Sequence, residues 1–464
     1  MRTQIAPFAL LAVASCATTD SNPPVAAPPP NIVLIVADDA GYVDFGFQGS
    51  TTHPTPHLDR LASEGVRFTQ AYVTASVCSP SRAGLLTGRY QQRFGHEFNL
   101  PGMADEAVPP ELRGLPLSER TIADHLRAQG YATGLVGKWH LGAEPRFHPQ
   151  ERGFDEFFGM LEGSDGYHVG KAKRVLRGRK AVAPEELPYL TDAFGDEAAG
   201  FVARHAEKPF FLFLSFTAPH TPMQAREDLL AETRAEFETA ARAKNAAMTR
   251  SLDDAVGKVL AALDAHGVAD NTLLVFTNDN GGALPYNASD NGSLRGTKGT
   301  VLEGGLRVPM LMRWPRRLAA GTEYSHPVST LDLLPTFDEA ARSTIKSDRA
   351  LDGVSLLPFL TDDDGSRPHE TLYWKLNWGA AIRRGDAKLV RTPDEQTWLF
   401  DLASDPEETT DLSESNPQLA HALGARLEEW EQSLPDPLWV SAPRWREHSL
   451  QRYAPDFAET NRKR

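Results

Sequence analysis

Charged and polar side chains suited to chemistry follow four apolar stretches of this sequence. The stretches, at 31–37, 132–136, 210–216 and 272–277, are rich in β-branched and aromatic residues and are typical of strands buried on both faces. The side chains that come after them are Asp38 and Asp39, Lys138 and His140, His220, and Asp279 and Asn280. Because functional groups in open α/β sheets gather beyond the carboxyl ends of the strands, we expect these side chains to converge.

The acidic and amide members of this set predict a site for a hard cation. Asp38, Asp39, Asp279 and Asn280 offer only oxygen atoms, which suit Ca²⁺ or Mg²⁺ and suit zinc poorly. Adjacent residues of a strand point to opposite faces, so Asp38 and Asp39 can share a ligand only once the chain has left the sheet. The alternative is that these residues form turns or helix caps. Their recurrence after separate strands favours the cation site.

Cys78 lies in the run Val-Cys-Ser-Pro-Ser-Arg-Ala-Gly-Leu-Leu-Thr-Gly at 77–88. Ser79 is expected at the N-cap, Pro80 at the first helical position and Gly88 at the far end, so Cys78 should lie at a helix N-terminus. Backbone N–H groups there favour an anion, and Arg82 lies one turn along the same face. A lone cysteine is more often buried and inert, but this position argues against that interpretation.

The pattern between the strands predicts how these residues are held. Helix-like stretches at 56–65, 118–130, 191–205 and 244–266 alternate with the apolar ones, which predicts an α/β fold with a mixed, mostly parallel sheet flanked by helices. From Thr371 short strands at 371–374, 380–384, 388–391 and 398–401 precede a helix at 417–434. We therefore expect a catalytic domain at 31–345 and a smaller C-terminal α+β subdomain with a short antiparallel sheet at 346–464. The tail beyond residue 434 should wrap the surface.

Composition limits the class of protein. The 464 residues, 41% of them hydrophobic, are enough to bury one large core or two unequal ones. With 62 acidic and 48 basic residues and a net charge of −14, the chain lacks the basic face that a nucleic-acid binder needs. Its two cysteines, Cys16 and Cys78, are too few for a disulfide framework and lack the spacing of a structural zinc site.

The N-terminus predicts export. Arg2 precedes a short apolar run at 6–14, which is too short for a membrane helix and typical of a signal peptide. The sequence Val-Ala-Ser-Cys at 13–16 resembles a bacterial lipobox, so we predict a lipoprotein signal peptide at 1–15 and a lipidated Cys16 as the sole attachment to a membrane. Residues 16–30 would form a Pro-rich tether. The expected location is the periplasm or the outer-membrane or cell surface of a bacterium; an ordinary cleaved signal is the alternative.

Several motifs together resemble a known family. Cys78-Ser79-Pro80-Ser81-Arg82 matches the C-x-P-x-R signature of the type I, formylglycine-dependent sulfatases of the alkaline phosphatase superfamily. The resemblance continues, in the order expected for that family, through the motifs Gly-Lys-Trp-His-Leu-Gly at 137–142, Ala-Pro-His at 218–220, Asn-Asp-Asn-Gly at 278–281, Leu-Arg-Gly-Thr-Lys-Gly at 294–299 and Glu-Gly-Gly at 303–305. It covers the chain from Asn31 to about residue 430.

The resemblance implies a role for each residue. A maturation enzyme would oxidise Cys78 to Cα-formylglycine, whose hydrate attacks sulfur while Asp38, Asp39, Asp279, Asn280 and residue 78 itself contact one Ca²⁺, with Mg²⁺ as the alternative ion. Lys138 and Lys298 would neutralise the sulfate oxygens. His220 would protonate the leaving alcohol. His140 would deprotonate the second hydroxyl of residue 78 so that sulfate is expelled, and Arg82 would orient residue 78.

The expected substrate is a sulfated carbohydrate or another sulfate ester. The alternatives are an arylsulfatase, a formylglycine-dependent phosphonate or phosphate monoester hydrolase, a glycan-binding surface lipoprotein without activity, and an enzyme that uses the unmodified Cys78 thiolate.

Three further groups of residues bear on substrate choice. The basic run 171–180 is either an attractor for polyanions or a solvated hairpin. Ser164, Asp165, Tyr167 and His168 are candidates for the leaving-group side. Trp374 and Trp378 either stack on sugars or belong to the core of the small sheet.

Overall fold

The computed structural model describes residues 28–101, 107–172, 174–343, 349–361, 366–441 and 444–454, together with residues 1, 4 and 457. The predicted signal peptide, Cys16 and most of the predicted tether lie outside these described residues. No helix in the described parts of the chain is long and apolar enough to cross a lipid bilayer.

The strands form two separate sheets. The strands of the main sheet are β1 (Asn31–Ala37), β2 (Val66–Tyr72), β3 (Ala132–Lys138), β4 (Glu156–Met160), β5 (Leu176–Arg177), β6 (Lys180–Ala181), β7 (Phe210–Ser215), β8 (Thr272–Asn278), β9 (Arg307–Arg313), β10 (Thr322–Tyr324) and β11 (Val328–Ser329). Their order is β10-β2-β9-β8-β1-β7-β3-β4-β5-β6, with β11 also paired to β2. The strands of the small sheet are β12 (Thr371–Leu376), β13 (Gly379–Arg384), β14 (Ala387–Arg391) and β15 (Thr397–Asp401).

The helices cover both faces of the main sheet and one face of the small one. They are α1 (Pro56–Ser63), α2 (Cys78–Thr87), α3 (Ile122–Ala128), α4 (Leu190–His205), α5 (Glu227–Thr233), α6 (Ala240–Ala265), α7 (Glu303–Leu306), α8 (Leu333–Ala340), α9 (Leu357–Thr361), α10 (Pro417–Gln432) and α11 (Arg444–Arg452). Short 3₁₀ turns lie at Gly46–Gln48, Gln91–Phe94, Pro110–Leu112, Pro145–Phe147, Pro149–Glu151, Pro184–Glu186, Ala269–Asn271 and Thr330–Asp332.

The centre of the main sheet explains the apolar stretches. β1 pairs in parallel with both β7 and β8, and all seven of its residues are buried. Alternate residues contribute to different cores: Ile32 packs in the core on the α2, α3 and α8 side, whereas Val33 packs in the core formed with α4 and α6. Burial on both faces removes any need for polar residues in β1, so the strand is apolar without alternation.

The small sheet is antiparallel and is joined to the catalytic part by buried charges. α10 packs on it through Leu423, Leu427 and Trp430. The ammonium of Lys388, on β14, lies 2.8 Å from Glu303 Oε1 and 2.8 Å from Glu408 Oε1, and all three side chains are fully buried. Because Glu303 is the first residue of α7, this cluster connects the small sheet to α7.

The predicted fold class is confirmed: a mixed, mostly parallel sheet with flanking helices, and a small C-terminal antiparallel sheet. Helix boundaries differ from the prediction where side chains cap the backbone. α3 begins at Ile122 rather than 118, because Thr121 and Asp124 form a capping box. α6 begins at Ala240 rather than 244, because the Thr239 side chain accepts a hydrogen bond from the Arg242 N–H.

Candidate active site

The four predicted strand ends meet at one edge of the main sheet. β8, β1, β7 and β3 are neighbours in that order, and all three pairings are parallel. Their carboxyl ends therefore lie together, which brings Asp38 and Asp39 beside Asp279, with Lys138 at the end of β3 and His220 in the loop after β7. The predicted convergence is a feature of the structure.

Asp38 and Asp39 face the same space because the backbone turns between them. β1 ends at Ala37, and Asp39 has a φ of 66°, a left-handed conformation that is strained for a residue with a Cβ. Asp39 N lies 3.4 Å from Asp279 Oδ1, and Asn280 Nδ2 donates to Asp39 Oδ1 at 2.7 Å. The strain is thus held by the residues that follow β8.

Cys78 lies at the N-terminus of a helix, as predicted, but it is itself the first residue of α2, and the cap differs from the prediction. Val77 is the N-cap residue and makes no side-chain cap hydrogen bond, whereas Ser79 and Pro80 lie inside the helix. Ser79 Oγ instead donates to His140 O at 2.8 Å and contacts His96 Nε2 at 2.7 Å. Cys78 Sγ lies 3.6 Å from Asp38 Oδ1 and 4.0 Å from Asp39 Oδ1.

Three cationic side chains neutralise the acidic ones. Lys138 Nζ lies 2.6 Å from Asp38 Oδ2, and both side chains are fully buried. Lys298 Nζ lies 2.6 Å from Asp39 Oδ1 and 3.0 Å from Cys78 Sγ.

Arg82 completes this set of ion pairs. Its Nε and Nη2 donate to Asp279 Oδ2 at 2.9 and 2.8 Å. A third donor, Nη1, bonds to Lys138 O at 3.1 Å. Nη1 also donates to Ser215 Oγ, so Arg82 holds Asp279 and the ends of β3 and β7, and none of these hydrogen bonds goes to Cys78.

Burial and charge shift the acid groups in opposite directions. Burial opposes ionisation of Asp38, but Lys138 and the other nearby cations outweigh it and hold the pKa of this carboxyl well below its ordinary value. Burial and the neighbouring Asp38 charge raise the pKa of Asp279, although Arg82 acts against them. Burial raises the pKa of the Cys78 thiol to about 12, even though Lys138 and Lys298 favour the thiolate. An unmodified Cys78 is therefore a neutral thiol near pH 7.

The two histidines differ in environment. His220 Nδ1 lies 2.6 Å from Thr221 O and must donate its proton there, so Nε2 is the nitrogen that faces Asp39 Oδ2, at 3.5 Å. Burial, reinforced by the Lys138 charge, lowers the pKa of His140 well below its ordinary value. His140 Nδ1 is buried and has no hydrogen-bond partner in the described part of the chain. His140 is thus a neutral base with a free nitrogen.

The oxygen atoms fit a hard cation. Asn280 is fully buried, and its Oδ1 has no hydrogen-bond partner among the described residues, although such an atom normally has one. The ligand atoms of Asp38, Asp39, Cys78 and His220 all lie within 4.8 Å of one another. Asp38, Asp39 and Cys78 thus surround one small space, and Asp279 and Asn280 contact Asp39 beside it. His220 is a nitrogen donor, which suits a hard ion less well than the oxygens do.

A pocket of about 490 Å³ opens onto this cluster. Asp39, His220 and Lys298 line it, together with Trp439, Ser441, Trp445 and Arg452. The tail therefore does more than wrap the surface, and these four tail residues are not among those predicted from the sequence. Two tryptophans within a polar, Pro-rich tail were the one signal available.

The residues predicted near the leaving group are not among the described residues that line this pocket. Tyr167 is fully buried, and its hydroxyl donates to Thr217 O at 2.7 Å and to His220 O at 2.9 Å, so it supports the His220 loop from behind. Ser164, Asp165 and His168 are not among the described residues that line the pocket.

The basic run forms a hairpin, and Trp374 belongs to the core, as the structural alternatives predicted. Residues 171–180 end in the β5–β6 hairpin, and the arginines at 174, 177 and 179 pair with carboxylates. Trp374 is buried and donates to Val73 O at 2.7 Å. Trp378 is half-buried and is not among the described residues that line the pocket.

Comparison with known proteins gives the class. A family model described as Sulfatase matches residues 30–343, and one described as N-sulphoglucosamine sulphohydrolase, C-terminal, matches residues 297–433. With this fold and this constellation of residues, the chain belongs to the sulfatase family of the alkaline phosphatase superfamily.

Individual relatives act on different sulfate esters. Human (Homo sapiens) N-acetylgalactosamine-6-sulfatase is 39% identical over 348 residues, which cover 71% of this chain and 65% of the relative. Steryl-sulfatase of Mus musculus is 35% identical over 429 residues, which cover 74% of this chain and 67% of the relative. The chain thus spans about two thirds of the length of these relatives. The crystal structure of Ps i-CgsB in complex with k-i-k-neocarrahexaose has a TM-score of 0.83 and 36% identity, covering 93% of this chain and 99% of that chain.

Proposed function

We propose that this protein is a carbohydrate sulfatase that uses formylglycine made from Cys78. The observation that carries the proposal is the position of Cys78 Sγ, 3.0 Å from Lys298 Nζ and 3.6 Å from Asp38 Oδ1. A nucleophile at that point has a cation on one side and a carboxylate cluster on the other. This arrangement suits attack on an anionic ester beside a bound cation.

Residue 78 acts as the nucleophile in this proposal. A hydrated aldehyde there supplies one hydroxyl that attacks sulfur and displaces the alcohol, and a second hydroxyl that loses its proton, re-forms the carbonyl and expels sulfate together with the first oxygen. Asp38, Asp39, Asp279 and Asn280 would hold Ca²⁺, which supplies positive charge that favours the deprotonated hydroxyl. An unmodified thiolate is a poor alternative, because burial raises the pKa of the Cys78 thiol to about 12 and a hard cation stabilises a soft thiolate less than an oxygen anion.

The lysines and histidines have different roles in the proposed reaction: charge neutralisation and proton transfer. Lys298 reaches the nucleophile directly, so its ammonium neutralises sulfate oxygens as charge shifts towards the leaving group. His220 delivers the proton on Nε2 to the leaving alcohol, because its Nδ1 proton is committed to Thr221 O. His140 accepts a proton from the second hydroxyl of residue 78, since its pKa is low enough to keep the ring neutral.

Lys138 and Arg82 act mainly through the acid groups. The Lys138 ammonium, 2.6 Å from Asp38, keeps that carboxylate ionised and adds positive charge next to the sulfate. Arg82 holds Asp279 Oδ2, which leaves Asp279 Oδ1 for the cation. Arg82 is therefore a positioning residue for a cation ligand.

A sugar is favoured as the leaving group over a small aryl alcohol. The pocket holds about 490 Å³, and its wall combines aromatic faces with hydroxyl and guanidinium groups, as sugar sites do. Human N-acetylgalactosamine-6-sulfatase and the neocarrahexaose complex are named for sugars as well. A phosphate monoester carries more negative charge than a sulfate ester, and the two lysines with one divalent ion suit the sulfate better.

The test is release of inorganic sulfate by protein matured with a formylglycine-generating enzyme. The panel includes N-acetylgalactosamine 6-sulfate, sulfated carrageenan oligosaccharides, 4-nitrophenyl sulfate and a matched aryl phosphonate. We expect sulfate from at least one sugar and a lower kcat/KM for the aryl substrates. The mass of the tryptic peptide containing residue 78 distinguishes aldehyde from thiol. An active protein with an intact thiol there would contradict the formylglycine mechanism.

We also propose export as a lipoprotein anchored through Cys16. The support is the lipobox-like sequence at 13–16 and the Pro-rich stretch that follows it. Mass spectrometry of the mature N-terminus tests this directly. A lipid-modified Cys16 is expected. A mature chain that begins after residue 16 with an unmodified amine would contradict the proposed lipid anchor.

A further inference from the structure

Part of the wall of the pocket comes from the C-terminal tail. Trp439, Ser441, Trp445 and Arg452 line it, and they lie beyond both segments matched by the family models, 30–343 and 297–433. This chain therefore builds part of its pocket from residues that the family pattern does not include.

Two aromatic side chains of the tail are docked on the rest of the protein. Trp439 is 5% exposed, donates from Nε1 to Asn99 O at 2.9 Å and packs against His96 with ring centres 4.7 Å apart. Tyr453 is 4% exposed, and its hydroxyl accepts a hydrogen bond from Val301 N at 3.0 Å. Two buried aromatic anchors thus fix the wall against the catalytic part.

Several side chains that line the pocket have exposed rings or unused hydrogen-bonding groups that a ligand could contact. Trp445 and Tyr286 are 39% and 56% exposed, although large aromatic residues normally bury most of their surface. Ser441 is 6% exposed and its Oγ has no hydrogen-bond partner among the described residues, yet it lines the pocket. In one pocket, the Ser441 hydroxyl can bind a hydroxyl group of a sugar while the sugar ring stacks on an exposed aromatic ring.

Arg452 adds a positive charge to the same wall. Its Nη1 donates to Lys298 O at 2.8 Å and its Nη2 to Tyr286 Oη at 3.2 Å, both of which are neutral oxygens. Within the described ranges no carboxylate lies within ion-pair distance of it, in a chain with 62 acidic and 48 basic residues. The charge is therefore available to an anion in the pocket.

We propose that Trp445, Ser441 and Arg452 form a specificity site for a polyanionic glycan. Trp445 stacks on the sugar that carries the scissile sulfate, Ser441 binds a ring hydroxyl, and Arg452 binds a second anionic group, either another sulfate or a carboxylate. The inference rests on the proposed function, whose substrate class it narrows from sulfated sugars to sugars with a second negative charge.

Binding by the inactive Cys78→Ala protein tests the site separately from catalysis. Calorimetric titrations use N-acetylgalactosamine 6-sulfate, its 4,6-disulfate, and the disaccharide of glucuronate with N-acetylgalactosamine 6-sulfate. Arg452→Gln should weaken binding of one or both doubly charged probes about tenfold and of the monosulfate less than about twofold. The two doubly charged probes distinguish a second sulfate from a carboxylate. Trp445→Ala should weaken all three about tenfold, whereas Trp445→Phe should keep most of the affinity.

Arg446 provides the matched control, because it lies on the same helix but donates to Pro393 O and does not line the pocket. Arg446→Gln should leave all affinities unchanged. Equal effects of Arg452→Gln on singly and doubly charged probes, or no binding of any probe by the Cys78→Ala protein, would overturn the specificity site. Failure of the wild-type protein to release sulfate from any substrate would instead contradict the proposed function.

Discussion

Lys298 and Cys78 are in direct contact, with Nζ 3.0 Å from Sγ, although 220 positions separate them in the chain. The loop that carries Lys298 has little regular structure and is fixed by backbone hydrogen bonds: Lys298 N donates to Gly282 O at 3.0 Å, and Gly299 N donates to Ser76 O at 2.8 Å. Asp39 holds the pKa of Lys298 above its ordinary value, although burial acts against it. A permanent positive charge therefore lies beside residue 78.

Replacing Lys298 by Ala should lower kcat about 10²- to 10³-fold, because a preorganised charge next to the developing anion is lost. Steady-state sulfate release measures the effect. Lys258→Ala is the control, since Lys258 pairs with Asp196 on the surface and is 39% exposed. A Lys298→Ala protein with wild-type kcat would remove Lys298 from the catalytic group.

Substitutions of Cys78 should separate its two chemical roles. Cys78→Ala should abolish turnover and leave the thermal midpoint nearly unchanged, because the side chain is small and acts chemically. Cys78→Ser keeps one hydroxyl but lacks the second, so sulfate transferred to it has no route of elimination. We expect a serine sulfated at position 78 in intact-mass spectra after exposure to substrate. Repeated turnover by Cys78→Ser would show that the second hydroxyl is not required.

Much of the site was predictable from the sequence because it depends on local patterns. Apolar stretches fix the strands, parallel pairing brings their ends together, and Asp38, Lys138 and Asp279 follow those ends directly. The cap of α2 was predicted wrongly. Serine is a residue type that favours the N-cap position, but the hydroxyl of Ser79 donates to His140 O, which is distant in the sequence. Val77 occupies the N-cap position instead.

The pocket wall could not be predicted by the same reasoning. Trp439 and Tyr453 are fixed by Asn99 and Val301, which lie 340 and 152 positions away, and no local spacing encodes such contacts. Tyr167 was expected in the pocket but supports the His220 loop through two backbone carbonyls. Whether a tyrosine or tryptophan lines the pocket or packs behind it is determined by tertiary contacts and not by the local sequence pattern.

Replacing Asp279 by Asn should lower the calcium content and the rate together. The substitution removes one ligand charge and leaves Arg82 without its buried partner, which costs about 3–5 kcal/mol when a buried ion pair is broken. Elemental analysis after dialysis measures calcium. Asp332→Asn is the control, because Asp332 is a fully buried acid that pairs with His369 at 2.7 Å. It should lose stability but keep calcium and rate. Full calcium in the Asp279→Asn protein would contradict the ligand assignment.

Gly163 should be required for the position of His140. A Cβ at residue 163 would lie 2.8 Å from both Cε1 and Nε2 of the His140 ring, so the ring would have to move. Gly163→Ala should lower kcat about tenfold or more, since misplaced groups lose rate steeply, with little change in thermal midpoint. Gly424→Ala is the control: this helical glycine has open space around its Cβ position, and alanine should stabilise α10 by about 0.5–1 kcal/mol. Unaltered kcat in Gly163→Ala would indicate that the His140 ring has room to shift without consequence.

Asp253 should make the stability of the catalytic part depend on pH. Its carboxylate, on α6, accepts hydrogen bonds from His57 N at 3.1 Å and Leu58 N at 2.8 Å, at the start of α1. Burial nevertheless raises the pKa of Asp253 to about 7 from its ordinary 3.8, because two backbone donors do not offset the loss of water. Between about pH 4 and pH 7 the folded protein therefore keeps a proton that the unfolded chain releases. The contribution of this group to stability is complete below pH 4 and falls as the pH rises to 7, by at most about 1.4 kcal/mol per pH unit.

Thermal midpoints of the wild type, Asp253→Asn and Asp254→Asn, measured from pH 4.5 to pH 8, isolate that contribution. Asp253→Asn cannot titrate, so its midpoint should fall less between pH 4.5 and pH 7 than that of the wild type, whatever its absolute value. Asp254→Asn should keep most of the wild-type slope, because the Asp254 side chain is 33% exposed beside Arg250 and its charge is the smallest of the causes that raise the pKa of Asp253. Parallel profiles for wild type and Asp253→Asn would mean that the two backbone donors keep Asp253 ionised throughout this range.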